Sequence, residues 1–450
     1  MNGKLDIVVG VQWGDEGKGK IVHKMAHGDK YSFVARYQGG GNAGHTVYDT
    51  DGSKVVLHAV PSGILYEGKN NVIGNGCVVS LEGLAKEIDR LKNGEKDRHG
   101  KQMHSGGKFR GNLLLSDRAH VIYPYLHALE EGSGEAARIG TTKQAIGMAY
   151  MMKAFRKGLP VWAFGERRNV EYFVNDAIDS TALLLGINAG RFMDKAYKAQ
   201  MIDGQMRLFE EVAKSTEIVD APRTINGWLA LGRCGIAEGA QGSGLSMDFG
   251  TYPFTTSSNT EAGGACTGLG VPPKHIGKTI GVAKAYVTRV GRGPFPTLMY
   301  PETEQQIRDK GGEEGATTGR LRRCGWFDGV HARQSAMING LDELVITKLD
   351  ILAGREKVYV CEAYRRIDTK IPALIYEFSP DMRELAAPNS SSYVGELTEL
   401  EGWKPEQLNS RLLPQPVVEY IHFIEKVTGA PVSTISVGPR MEDTIELALR

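Results

Sequence analysis

The chain has 450 residues, 41% of them apolar and 24% charged, with a formal net charge of +1. This is the composition of a water-soluble globular protein, and a charge so near zero provides no global field to recruit nucleic acid or a membrane surface. Five cysteines, Cys77, Cys234, Cys266, Cys324 and Cys361, are odd in number and far apart, which argues against a disulfide framework or zinc site and for a reducing cytoplasm; no apolar run reaches membrane-spanning length.

The first predicted strand, LDIVVGV (5–11), runs directly into QWGDEGKGKIV. Strand, glycine-rich turn and helix in that order form a phosphate site, because turn amides and a helix N-terminus face the anion. Lys18 would add a charge near the outer phosphates. The loop nevertheless breaks the G-x-x-x-x-G-K-[ST] pattern, in which a hydroxyl holds magnesium. Gly17-Lys18 is followed by Gly19, and an acid, Asp15, stands inside the loop.

A second strand (32–37) leads into RYQGGGNAGHT, where His45 lies among small residues that permit close backbone approach. Strands follow at 54–60 and 112–116. Between them Ser80 is set to cap a helix whose apolar face is Leu81, Leu84, Ile88 and Leu91, stopping at Gly94. The polar stretch 95–111 reads as a surface loop. IGTT (139–142) brings hydroxyls and amides to a helix start, a second phosphate nest. The helix after it carries Met148, Met151, Met152 and Phe155, then Arg156.

Residues 160–235 read as mostly helical. Tyr252 and Phe254 make 250–264 an ordered loop rather than a linker. After a strand at 279–287, GATTGRLRRCGW combines Thr317 and Thr318 with Arg320, Arg322 and Arg323, whose guanidinium forks suit carboxylates and phosphates. The strand at 343–349 ends in Thr347-Lys348-Leu349-Asp350. A carboxylate there can accept from both the ring N–H and the exocyclic amine of guanine, as in the [NT]-K-x-D guanine reader. A strand at 357–364, a loop at 388–393, and a helix with Val417, Ile421, Ile424 and Val427 on one face complete the chain. The alternation predicts an α/β fold with a large, mainly parallel central sheet, a P-loop-like nucleotide site and helical elaborations. No composition shift divides it, so 1–450 reads as one domain, with a mostly helical elaboration at about 160–235.

Taken together and in order, QWGDEGKGK, GGGNAGHT, IGTT, EGAQG, DFGTYPFTTSSNT, TRVGRGPFPT, GATTGRLRR and TKLD resemble the adenylosuccinate synthetase family, from residue 5 to about residue 440. The resemblance implies a GTP-dependent, magnesium-using ligase that joins IMP to L-aspartate and works as a homodimer. It implies that Asp15 is the catalytic base and a magnesium ligand, with the Gly44 carbonyl as second metal contact, and that His45 is the catalytic acid. Asn42, Thr142, Arg156, Gln241, Thr256 and Arg320 match positions for the purine monophosphate, Arg156 acting across the dimer interface. Gly14, Glu16, Gly17, Lys18, Gly19, Arg322, Lys348, Asp350 and Gly438 match the GTP site. Thr317, Thr318, Arg320 and Arg322 match the aspartate loop.

The chain departs from the family pattern at Ala145 and Met148, where Gly and Pro are usual. It departs again at Gly244 and Ser246, where an apolar residue and an acid are usual, and Leu321 interrupts an arginine run. A smaller, more polar lining around Gly244 and Ser246 would suit a 2-amino purine. Two alternatives therefore stand beside the main reading: a viral-type relative acting on dGMP to form a 2-amino-adenylosuccinate product, and a GTP-binding regulatory protein that keeps the fold without the reaction.

Overall fold

The computed structural model describes residues 2–97, 99–134, 136–184, 190–315, 319–367, 375–376, 393–409 and 413–448. Among them the largest sheet has ten strands. In chain order these are β1 (Leu5–Gly10), β2 (Tyr31–Arg36), β3 (Asn70–Ile73), β4 (Asn112–Ser116), β5 (Glu217–Val219), β6 (Cys234–Glu238), β7 (Ile276–Lys284), β8 (Glu343–Thr347), β9 (Val432–Ser436) and β10 (Thr444–Glu446). Their spatial order is β5-β4-β3-β2-β6-β1-β7-β8-β9-β10. Neighbours pair in parallel until β10, which turns back antiparallel on β9. β1 lies at the centre, Ile7 opposite Ala237 on one side and Thr279 on the other, and every residue of β1 is buried. An almost wholly apolar run is what a strand covered on both faces requires, and its one charge, Asp6, accepts from the Tyr31 hydroxyl at 2.5 Å.

The helices arise where the periodicity placed them. After α1 (Lys18–His27), α2 (Leu81–Asn93) is capped by the Ser80 hydroxyl, which accepts from the Gly83 amide. Leu81, Leu84, Ile88 and Leu91 are buried, each worth about 1.5–3 kcal/mol over an exposed side chain. α3 (Pro124–Ser133) and α4 (Ile146–Ala154) precede the mostly helical stretch, which holds α5 (Arg167–Leu184), α6 (Lys195–Ala213) and α7 (Ala221–Ala230) but also the edge strand β5. α8 (Gly329–Asn339) and α9 (Gln415–Thr428) follow, α9 ending at Gly429 in the left-handed conformation.

Three expectations need correction. Residues 95–111 are not simply a loop: Glu95–Lys96 and Gln102–His104 form a small antiparallel hairpin. The strand at 54–60 stays out of the main sheet and pairs as Lys54–Leu57 with His45–Tyr48. The strand at 357–364, seen as Lys357–Arg366, builds a separate sheet with Phe327–Asp328 and Tyr393–Glu401. The loop expected at 388–393 falls, but for Tyr393, outside the described residues. Among the described residues no helix is long and apolar enough to cross a membrane.

Parallel strands put all their carboxyl ends on one side. The loops after β1, β2, β6, β8 and β9 therefore meet there, the side on which open α/β sheets bind ligands.

Candidate active site

Those loops surround a cavity of about 1340 Å³, above the ~300–1,000 Å³ that commonly holds one small ligand. The turn after β1 lines it from Gly14 to Gly19. Gly14, Asp15 and Gly17 all have positive φ, of 88°, 61° and 92°, which winds the chain into a tight turn at the cavity wall. Glu16 holds the turn from inside. Its Oε1 accepts from the Gly14 amide at 2.8 Å and the Gln12 amide at 3.2 Å, and Thr347 at the end of β8 donates its hydroxyl to the Glu16 carbonyl at 2.6 Å. Lys18 also lies buried, its ammonium on Glu16 Oε2 at 2.5 Å and on the Gln241 carbonyl. A buried ammonium must be paired, so Lys18 is anchored rather than a free surface charge.

His45 stands against the start of α1. Its Nδ1 lies 2.5 Å from Glu238 Oε1, at the end of β6, and Glu238 also accepts from the Ser62 amide and hydroxyl. Burial pushes the Glu238 carboxyl up, but His45, Arg36 and Ser62 outweigh it and bring it down to about 2. Burial, then the Arg36 charge, lower the proton affinity of His45. Nδ1–H therefore donates to the carboxylate and Nε2 is left for the cavity, which His45 lines. This packing also answers why Gly19 stands where a hydroxyl residue is usual: a Cβ there would lie 2.7 Å from His45 Cβ.

Asp15 is held by Arg322, Nε to Oδ2 at 2.9 Å, and Arg322 Nη1 reaches Glu313 Oε2 at 2.6 Å. Lys348 and Asp350 line the cavity after β8. Lys348, at φ 59°, donates to Glu313 Oε1 at 2.7 Å and to the Gly311 carbonyl at 2.8 Å. Asp350 is different: its Oδ1 is buried without a hydrogen-bond partner, and burial pushes its pKa up. Such a carboxylate is prepared for a ligand that brings N–H donors. Gly438 lines the cavity too, its carbonyl held by the Lys20 ammonium at 2.7 Å.

Asn42, Gly44, Thr142, Gln241 and Thr256 also line it. Asn42 Oδ1 and Gln241 Oε1 are buried acceptors without partners. The IGTT turn is fixed by Glu130, whose carboxylate accepts from the Thr141 hydroxyl and the Ala145 amide, both at 2.8 Å. Ala145 itself has φ 54°, a conformation that suits the glycine usual in the family. Arg320 does not line the cavity; it donates to the Gly140 carbonyl at 2.9 Å and ties its loop to the IGTT turn. Arg156 is exposed and is not part of the cavity lining; its neighbour Phe155 is exposed, and Met151, one helical turn earlier, is exposed and lines the cavity. Thr317 and Thr318 lie outside the described residues.

The expectation about the second departure is overturned. Gly244 and Ser246 are buried and line no part of the cavity. A Cβ on Gly244 would meet the Trp13 indole nitrogen at 2.6 Å, so Trp13 fills the space a larger side chain would take. Ser246 spends its hydroxyl on the amides of Asp248 and Phe249. Glu238, Glu313, Glu130 and Lys20 escaped the sequence reading. Their one signal was a charge at the end of an apolar strand or beside a glycine turn, a pattern too common to stand out.

Among the described residues no group of three or more His, Cys, Asp or Glu side chains could enclose a metal ion. The Asp15 carboxylate and the Gly44 carbonyl are nonetheless hard oxygen donors on the cavity wall. Magnesium takes one or two protein carboxylates and completes its shell with water and substrate phosphates, so this donor set fits it.

A family model described as adenylosuccinate synthetase matches residues 7–445. The adenylosuccinate synthetase of Wolinella succinogenes is 41% identical over 98% of this chain and 99% of its own length. The chloroplastic adenylosuccinate synthetase 1 of Physcomitrium patens is 42% identical over 96% of this chain and 80% of its own. Among solved structures, fully ligated adenylosuccinate synthetase from Plasmodium falciparum is 32% identical with a TM-score of 0.85, covering 99% of this chain and 100% of that one. The cyanophage S-2L succinoaminodeoxyadenylate synthetase, bound to dGMP and dATP as an energy donor, is 19% identical with a TM-score of 0.60 over 99% of this chain and 96% of that one, a likeness of fold.

Proposed function

The chain belongs to the adenylosuccinate synthetase family, and from that premise we propose how its residues carry out the reaction. It is a GTP-dependent ligase that joins IMP to L-aspartate, giving adenylosuccinate, GDP and phosphate. The observation that carries the residue assignment is the meeting, in one cavity, of Asp15, His45 and Arg322 with a buried carboxylate at Asp350 that has an unpartnered oxygen.

A purine 6-oxygen is a poor leaving group. Asp15 takes the ring N–H proton, which makes the oxygen a nucleophile toward the γ-phosphate of GTP. The turn amides from Asp15 to Gly19 and His45 Nε2 hold the negative charge that develops on the transferring phosphoryl group. An arriving phosphate raises the proton affinity of His45, while Glu238 keeps the ring oriented. The phosphorylated oxygen then leaves as the amine of L-aspartate attacks the ring carbon. Arg322 holds a carboxylate of that amino acid, together with Thr317, Thr318 and Arg320. Asn42, Thr142, Gln241 and Thr256 hold the purine monophosphate, and Lys348, Asp350 and Gly438 the guanine of GTP. Asp15 and the Gly44 carbonyl would hold magnesium, which when bound neutralises phosphate charge.

The reading includes a homodimer in which Arg156 serves the partner's site, supported by its exposure beside Met151 and Phe155. It includes a cytoplasmic setting, supported by five unpaired cysteines. IMP is favoured over dGMP by 32% identity to the ligated synthetase against 19% to the phage enzyme, and by a lining that Gly244 and Ser246 do not enlarge. The test is a panel of IMP, dIMP, GMP and dGMP with GTP or ATP and L-aspartate, products read by mass spectrometry. Adenylosuccinate from IMP and GTP is the expected product; a 2-amino product from dGMP alone would overturn the reading.

A further inference from the structure

Glu313 is fully buried and stands outside the roles assigned above, yet three cations converge on it. Oε1 accepts from Lys348 at 2.7 Å and from the Tyr286 hydroxyl. Oε2 accepts from Arg322 at 2.6 Å. Lys284, buried and paired with the Thr288 hydroxyl, lies 3.3 Å from both oxygens. The main chain repeats the link, since the Arg322 amide donates to the Glu313 carbonyl at 3.0 Å. Glu313 and Arg322 thus pinch the base of the loop that contains Gly315 and Arg320.

We propose that Glu313 is a positioning residue that couples the GTP and L-aspartate subsites, one carboxylate fixing Lys348 with one oxygen and Arg322 with the other. The proposal rests on the assignment of those two cations given under Proposed function. A carboxylate is needed because three cations share it, Lys284 and Arg322 buried and Lys348 partly exposed. Its two oxygens together offer about four acceptor sites. The charge also keeps Arg322 from collapsing wholly onto Asp15: the guanidinium divides itself between Glu313 through Nη1 and Asp15 through Nε. Burial pushes the Glu313 carboxyl up, but Lys284, Lys348 and Arg322 outweigh it and hold it ionised, below the usual carboxylate range. An amide of the same shape would keep one acceptor and turn N–H donors against cations. Lys348 and Arg322 then both lose a charged partner, and the Asp15 pair must tighten.

The experiment is steady-state kinetics of Glu313→Gln with each substrate varied in turn. Losing a charged hydrogen bond to each cation is expected to raise KM for both L-aspartate and GTP about tenfold or more, with KM for IMP changed less than about twofold and the thermal melt still cooperative. In an Arg322→Leu background the L-aspartate penalty of Glu313→Gln should vanish while the GTP penalty remains. Lys348→Met and Arg322→Leu should be non-additive in KM for GTP and L-aspartate, a cycle that needs no Glu313 variant to fold. Unchanged KM values, an equal rise in all three, or an additive cycle would overturn the proposal. If Arg322→Leu alone leaves KM for L-aspartate unchanged, the subsite assignment itself fails, and the coupling with it. A raised KM there with a normal Glu313→Gln overturns the coupling alone.

Discussion

Replacing Gly19 by Ser would restore the G-K-S ending of a phosphate loop, with Gln12 still at the place of the pattern's first glycine, and it should disable the enzyme rather than improve it. A Cβ at position 19 would lie 2.7 Å from His45 Cβ and 3.2 Å from its Cγ. Carbon atoms pack at about 3.5–4.0 Å, so the imidazole must retreat by about 1 Å. That movement pulls Nδ1 from Glu238, 2.5 Å away, and shifts Nε2 relative to the turn of Gly14 to Gly19. A misplacement of about 1 Å in a reacting constellation costs about 10²-fold in rate. The fold itself should tolerate the change, because Gly19 is in α1 and a serine is the better helix residue by a few tenths of a kcal/mol. Phosphate release at saturating GTP, IMP and L-aspartate, beside a thermal melt, measures both. Gly19→Ala should match Gly19→Ser, since the effect is steric. A serine variant within about threefold of the unaltered kcat would refute this account of Gly19.

Asp15→Asn should lower kcat by about 10²–10⁴, the usual contribution of a general base, while calorimetry still detects GTP binding. Asp350→Ala should raise KM for GTP by about a hundredfold or more, from two charge-assisted bonds of about 1.5–3 kcal/mol each, and leave ATP use unchanged; undiminished GTP preference would contradict the guanine-reader assignment. Ala145→Gly should stabilise the protein in urea by about 0.5–1 kcal/mol, since a non-glycine residue in the left-handed region costs roughly 1–2 kcal/mol and glycine returns only part of that as chain entropy. Acid should destabilise the fold well before its carboxylates titrate. Burial lowers His23 to about 4, His120 to about 4 and His331 to about 3, so below about pH 6.5 the unfolded chain takes up protons that the native state refuses. Their stabilisation is complete above that pH and is lost as pH falls toward their folded values. Asp328, raised by burial to about 6, works the other way over a smaller interval. Urea midpoints that stay constant from about pH 7 to about pH 5 would contradict this.

The local chemistry of the chain was legible without a structure. A mostly apolar run followed by glycines reads as a buried strand and a tight turn, so β1 and the turn after it follow from residues 5–20. The spacing of Leu81, Leu84, Ile88 and Leu91 fixes the face of α2, and Ser80 and Gly94 its ends, because caps and periodicity act within a few residues. Asp350 was a candidate for the same reason, from TKLD alone, and the structure adds its buried, unpartnered Oδ1.

Contacts between distant segments were not legible. β3, β6 and β9 passed unnoticed because polar residues or a glycine interrupt their apolar runs, as in NNVI, CGIAE and VSTIS, and β6 carries a charge, Glu238, that only the packing of His45 explains. Glu313 looked like one acid among several until folding surrounded it with Lys284, Arg322 and Lys348. Gly244 looked like an opening in the purine lining until Trp13 was found in its place. Hydrophobic periodicity reports which side of an element is covered. It carries nothing about which buried charge meets which, because those pairs join different loops and strand ends, 9 residues apart for Glu313 and Arg322 and 193 for His45 and Glu238, and only the folded chain brings them together.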